Sequence, residues 1–481
     1  MNKTAILAVL PLVFSGASVF ADATDEGAAH LTEVFQTYLG PSEGVVSVEI
    51  DGDAYTVTLD AAPLAKIAAD AGGSASLTPI VLNLTYNGDG TWGVVQDQSL
   101  KLAFSVPGTA DVVQEIGSMT WDGVFDEGLM TFTSGRGEMA DIKVSQKISD
   151  PNSGEMAVDV TVDSVAFDMT GVAGANGGAD NVVNMTMSGL SETIATPAAE
   201  GMPAIPISVT LESLTETATM KGMRPDAFYK ALAWFVAHPT EDAMKAGKAE
   251  IKSILQEGLP LFEVMSVTGA GKNLTVVSPI GPVSVAEIGF AIDLNGVVAD
   301  GKFREAFSLS GLTLPEGIIP PWAAPILPQK LSFDVQVSDF DAAAAMQVAL
   351  GLFDLPDGAE PDAAFEGNLL AALMPNKTVT IGLNPGTVSG DGYELTYEGL
   401  MVAGPEMPIP TGTALITLTG IEKLQAALAA APDDIKGQAM MGVGMAQGMA
   451  KTDENGALVW EIDASTPGNL SVNGTPMMGA N

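Results

Sequence analysis

The sequence predicts an α+β fold, mainly antiparallel β, in which repeated β-meander units form a long curved sheet with several amphipathic helices packed on it. Three observations lead there. Runs such as Leu331, Phe333, Val335 and Val337 alternate apolar and polar residues with the period of a half-buried strand. Short turn signals built on Pro-Gly, Asp-Gly and Asn-Gly separate these runs. Three longer stretches then repeat one order of strand, Gly-Leu, Pro-bearing connection and strand.

The elements follow in chain order. The opening MNKTAILAVLPLVFSGASVFA places Lys3 before an apolar run from Ala5 to Phe14, with small Val19 and Ala21 ahead of Asp22. This is the pattern of a secretory signal peptide over residues 1–21, cleaved after Ala21, and the run falls short of the roughly 20 apolar residues a spanning helix needs. Leu31, Val34, Phe35, Tyr38 and Leu39 follow at helical spacing and Gly40-Pro41 stops them. Asp51-Gly52-Asp53 and Asn87-Gly88-Asp89-Gly90 read as hairpin turns between alternating runs.

Four segments, 100–112, 274–285, 379–389 and 458–472, run from a strand into a Pro-Gly or Pro-Ile-Gly turn and on to another strand. Proline presets the first turn dihedral and glycine accepts the positive one, so each is expected to be a tight reversal. PDAFYKALAWFVAHP (225–239) puts Phe228, Leu232, Phe235 and Val236 on one expected helix face. The next segment carries Thr240 as N-cap and Gly258 as stop. Further helices are expected over 339–353 and 421–432, where strands run straight into alanine-rich sequence.

The repeated order is clearest in the Pro-bearing steps. Gly189-Leu190, Gly311-Leu312 and Gly399-Leu400 precede the proline pairs Pro203/Pro206, Pro325/Pro328 and Pro408/Pro410. Proline there fixes the connection and blocks stray ladder pairing. The unequal spacing of the three glycines rules out a strict solenoid. GVAGANGGADN (171–181) is a loop or a linker. The expected organisation is therefore an N-terminal β-rich domain with a leading helix over 22–180 and a repeated meander and helix region over 181–481, or one continuous domain.

Composition narrows the function. With 20 Lys+Arg against 59 Asp+Glu the chain carries −39, which repels phosphate backbones and anionic headgroups, so no nucleic-acid partner is expected. Only 16% of residues are charged and 47% are hydrophobic, so the chain has apolar material to bury and is no disordered acidic tail. The absence of cysteine removes disulfides, thiolate metal sites and a lipidated N-terminal Cys. After signal cleavage no segment qualifies as an integral membrane span, and the location expected is the periplasm. An outer-membrane barrel is disfavoured by 6% aromatic content and an end at Asn481.

No set of residues spells a reaction. His30 and His238 lie in distant segments, suited to surface or capping roles. Gly442, Gly444 and Gly448 lack the spacing and preceding strand of a nucleotide loop, and Gly444 and Gly448 instead suggest close backbone packing on a Met-rich helix. Residues 22–33 partly imitate a calcium loop but read better as an acidic helix start. Asp433-Asp434 and Asp453-Glu454 are read as solvated pairs, and the 23 methionines as core, or as an adaptable apolar surface. No catalytic, cofactor-binding or metal residue is assigned, and no cofactor is expected.

The order in GLTLPEGIIPPWAAPILPQKLSFDVQVSDF, together with the ending WEIDASTPGNLSVNGTPM, resembles an alphaproteobacterial secreted domain-of-unknown-function family, and is similar to YdgA-like and AsmA-like repetitive β envelope proteins. The AsmA-like proteins are usually anchored by an N-terminal membrane helix, and this chain departs from them in its cleavable leader. The resemblance implies an envelope location and supplies no catalytic residues. The function expected is that of a non-enzymatic periplasmic protein holding a hydrophobic, lipid-like ligand in a β groove. The alternatives are an envelope scaffold that binds protein and a hydrolase with an unrecognised carboxylate site.

Overall fold

The computed structural model describes residues 23–62, 65, 69, 72–150, 154–195, 206–407 and 409–478. The expected leader, its cleavage site after Ala21, and Pro203 and Pro408 of the Pro-bearing steps lie outside the described residues. The fold is α+β and mainly antiparallel β: among the described residues there are 21 strands, paired mostly in sequence as a meander with β2–β4, β3–β5 and β17–β19 skipping a strand, and every pairing with a defined register is antiparallel. By compactness the chain divides into two units, Met1–Ala204 with Thr219–Glu263, and Ile205–Ala218 with Val264–Asn481.

The first unit begins with α1 (Asp25–Leu39), whose N-cap Thr24 accepts a bond from the Gly27 amide. The acidic residues from Asp25 to Glu33 are thus helical, as an acidic helix start requires and a calcium loop does not allow. Gly40, at φ 93°, ends the helix as expected. The helix buries Leu31, Val34 and Phe35 against Val57, Leu84 and Trp92 of the short strands β1 (Val46–Asp51), β2 (Ala54–Leu59), β3 (Ser74–Leu77), β4 (Ile80–Tyr86) and the long β5 (Thr91–Val106). The expected turns at 51–53 and 87–90 join β1 to β2 and β4 to β5.

From β5 the first unit continues through β6 (Ala110–Asp126), β7 (Thr131–Asp150), β8 (Gly154–Ala173) and β9 (Ala179–Ala195), and of β10 (Pro206–Met223) it holds residues 219–223, with 206–218 belonging to the second unit. The glycine-rich stretch at 171–181 is the tip of the β8–β9 hairpin, with the Gly174 amide bonded to the Gly178 carbonyl. Three helices follow in this unit: α2 (Pro225–Ala237), α3 (Glu241–Ala246) and α4 (Lys248–Gly258). Gly247 separates the last two, where one helix was expected, and the Thr240 cap and the stop at Gly258 are as read.

Helix α2 turns a different face inward from the one its periodicity suggests. Ala227, Tyr229 and Trp234 are buried, whereas Phe228 and Phe235 are 60% and 54% exposed. Tyr229 meets Tyr38 of α1 edge-on at 5.9 Å, and Trp234 stacks on His238 at 4.4 Å. The face that turns in is the one whose rings find partners, Tyr38 for Tyr229 and His238 for Trp234.

The second unit continues with β11 (Val264–Ser278), β12 (Gly281–Asn295), β13 (Gly301–Ser310), β14 (Lys330–Phe340), β15 (Val379–Gly390), β16 (Tyr393–Ala403), β17 (Thr411–Thr419), β18 (Lys451–Thr452), β19 (Leu458–Asp463), β20 (Leu470–Val472) and β21 (Thr475–Met478). Helices α5 (Ala342–Leu350) and α6 (Phe365–Leu373) separate β14 from β15, and α7 (Ile421–Ala429) and α8 (Asp433–Met449) follow β17. The Pro-bearing steps join the antiparallel pairs β13–β14 and β16–β17 as expected.

One reversal does not occur. Asn384-Pro385-Gly386 lies inside β15, where a register shift between Leu383 and Gly386 forms a bulge. The bulge leaves the proline without a ladder partner, so its missing N–H breaks no bond. The other three turns of the set reverse the chain at 107–109, 279–280 and 464–469.

Candidate ligand-binding face

Antiparallel register puts directly opposed residues on one face of a sheet, so the pairings of the second unit sort its side chains without ambiguity. Across β11 to β14 one row reads Gly269, Phe290, Phe307 and Phe333. The row on one side is Met265, Leu294, Phe303 and Val337, and that on the other is Gly271, Ile288, Leu309 and Leu331. The Gly271 row lies two residues along the strands and the Met265 row four, both even offsets, so all three rows share one face. The same face continues through Leu395, Tyr397 and Met401 of β16 into Ile416 and Leu418 of β17. It is an apolar surface carried by strand after strand.

Part of it is covered. Tyr393 is buried and its hydroxyl donates to the Ile326 carbonyl of the Pro-bearing connection at 2.9 Å. The Tyr397 hydroxyl donates to the Ser332 carbonyl at 3.0 Å, and its ring occupies the space that a side chain at Gly386 would need. Trp460, opposite Ile416, donates its indole N–H to the Ala446 carbonyl of α8 at 2.8 Å. Over β12 to β14 the face is open instead, and Phe303, Phe307 and Phe333 stay 38%, 43% and 45% exposed. Exposed apolar rings clustered on one face make it the candidate for binding among the described surfaces.

The opposite face of the same strands is polar. Arg304 reaches Asp334 through Nε and Nη2 and Asp293 through Nη1, at 2.7 Å from Asp334 and 2.6 Å from Asp293 in the two ion pairs. Asn384 donates to Asp334 at 2.8 Å, and the Ser266 hydroxyl donates to Asp293. The Ser266 bond first and Arg304 second hold the Asp293 carboxyl below its ordinary value, while the Arg304 bond does the same for Asp334. Beside this network a cleft of about 1100 Å³ is lined by hydroxyl side chains including Ser308, Ser310, Ser332, Thr387 and Ser389.

The residues singled out in the sequence are not brought together. His238 caps α2, with Nδ1 donating to the Trp234 carbonyl at 2.7 Å, while His30 sits on α1 with a buried, unpartnered Nε2. Asp453 accepts from the Asn455 and Ala457 amides and shapes a turn, and Asp433-Asp434 begin α8. The close approach expected at Gly444 and Gly448 is absent, because a Cβ at either position meets nothing within 4 Å. The α8 face bearing them is solvent-facing, with Met441 and Met445 66% and 60% exposed.

Among the described residues no group of three or more His, Asp or Glu side chains is placed to hold a metal ion. Among the same residues no helix is long and apolar enough to cross a membrane. Reading the sequence strand by strand shows the alternation at Leu331 to Val337, yet misses the face. The phenylalanines align only once the register of β12, β13 and β14 is fixed. Comparison with protein families, with curated proteins and with solved structures finds no match for this chain.

Proposed function

We propose that this chain is a non-enzymatic, exported protein that holds a hydrophobic, lipid-like ligand against the open apolar face of β12 to β14. The observation that carries the reading is the row Phe290, Phe307 and Phe333, flanked by Phe303 and left partly exposed in the middle of a paired sheet. Exposing such rings to water costs roughly 25 cal/mol per Å², a cost that an aliphatic chain laid across them removes. The leader-like opening of the sequence supports a periplasmic location.

Native mass spectrometry of the protein purified without detergent tests this. Co-purified or added lipid of defined mass should bind the intact protein, and Phe307→Ser with Phe333→Ser should abolish the adduct while the far-UV circular dichroism stays unchanged. Delipidated wild-type protein that takes up no lipid would contradict the reading. An envelope scaffold is the competing reading, favoured by the exposed Met441 and Met445 of α8. Stoichiometric co-purification of one protein, lost on Met441→Ser with Met445→Ser and accompanied by no lipid, would establish it instead.

A further inference from the structure

A single charge interrupts the open face. Glu305 lies between Phe303 and Phe307 along β13, opposite Ile292 on β12 and Val335 on β14. On the same face the diagonal neighbours include Phe290 and Phe333. Glu305 is exposed and, among the described residues, its carboxylate makes no hydrogen bond and no ion pair. The nearest cation in sequence, Arg304, points to the opposite face and is committed to Asp293 and Asp334. Lys302 shares that opposite face by register.

An unpaired carboxylate among phenylalanines does nothing for the packing of a sheet, where a β-branched residue fits better. It does fit a ligand. Aromatic rings present negative faces to a cation, and a neighbouring carboxylate adds a full charge, so the group that satisfies both is a cation with an apolar shell. A trimethylammonium needs no directed hydrogen bond, which matches rings that offer none. The −39 charge of the chain favours cations over anions at every approach.

We propose that Glu305 and its surrounding phenylalanines select an aliphatic amphiphile with a quaternary ammonium group, the chain lying on the apolar rows and the ammonium over Glu305. This inference rests on the reading of the face as a hydrophobic-ligand site and names the class of ligand. Isothermal titration of the full chain with dodecyltrimethylammonium, dodecyl maltoside and dodecyl sulfate, each below its micelle-forming concentration, tests it. The trimethylammonium compound should bind about tenfold more tightly than the neutral one, and the sulfate most weakly.

Glu305→Gln should erase that preference and leave dodecyl maltoside binding unchanged. Glu287→Gln, which removes one charge from the polar face of the same unit, should leave the preference intact. Equal loss in both variants would assign the effect to overall charge and overturn the proposal. So would a gain of self-association in Glu305→Gln with its preference retained, which would make the carboxylate a guard against sheet-to-sheet aggregation. If dodecyl maltoside binds and no preference exists, this inference fails alone; if no alkyl compound binds, the hydrophobic-ligand reading fails with it.

Discussion

Several aromatic side chains of this protein lie over glycines of the neighbouring strand. The Trp121 ring fills the space a side chain would need at Gly135, as Phe167 does at Gly137 and Phe290 at Gly269. The glycines sit there because the rings need their space, and the rings in turn cover backbone that glycine leaves bare. Trp121 is 6% exposed, so Gly135→Ala drives a methyl into packed indole and should destabilise the protein by about 1–3 kcal/mol in urea unfolding. The charged counterpart is Arg304. Its two aspartates titrate lower when folded than the ordinary 3.8 of the unfolded chain, so their contribution is present above that pH and fades as the pH falls through the lower folded value. Unfolding free energy should therefore drop with acidification below about pH 4, and Arg304→Met should both lower stability at neutral pH and weaken that acid dependence.

Helices and strands were legible to different depths. Alternation and turn chemistry located nearly every strand of the second unit, because a period of two and a Pro-Gly corner are local properties. Where one segment carried two local signals, tertiary packing chose between them. In α2 both faces carry aromatic residues, two phenylalanines on one and Tyr229 and Trp234 on the other, and contact with Tyr38 and His238 decides which turns in. Accordingly Phe228→Ser should change stability by less than about 0.5 kcal/mol, and Tyr229→Ala should cost about 3 kcal/mol, by thermal or urea unfolding. In β15 the Pro-Gly pair reads as a corner, yet strands on both sides pair around it and leave a bulge. The candidate face is illegible for a similar reason: rows across a sheet combine residues more than 40 positions apart, such as Phe290 and Phe333.

At the scale of the whole molecule two properties dominate, a one-sided distribution of apolar residues over the second unit's sheet and a large negative charge. The charge predicts that the melting temperature rises when sodium chloride goes from about 10 mM to about 0.3 M, since salt screens self-repulsion over shorter distances as its concentration grows. No rise would mean that the acidic groups are spread too thinly to repel. The apolar face carries the more consequential proposal: a hydrophobic ligand on one side of β12 to β14 and water on the other. The most direct measurement places a photoreactive p-benzoylphenylalanine at position 333 on the apolar face or at position 308 on the polar face, and irradiates each protein with an alkyne-tagged dodecyl amphiphile. A covalent adduct is expected at 333, competed away by untagged amphiphile, with none at 308; equal labelling at both positions, or labelling at 308 alone, would overturn the assignment of the ligand to the apolar face.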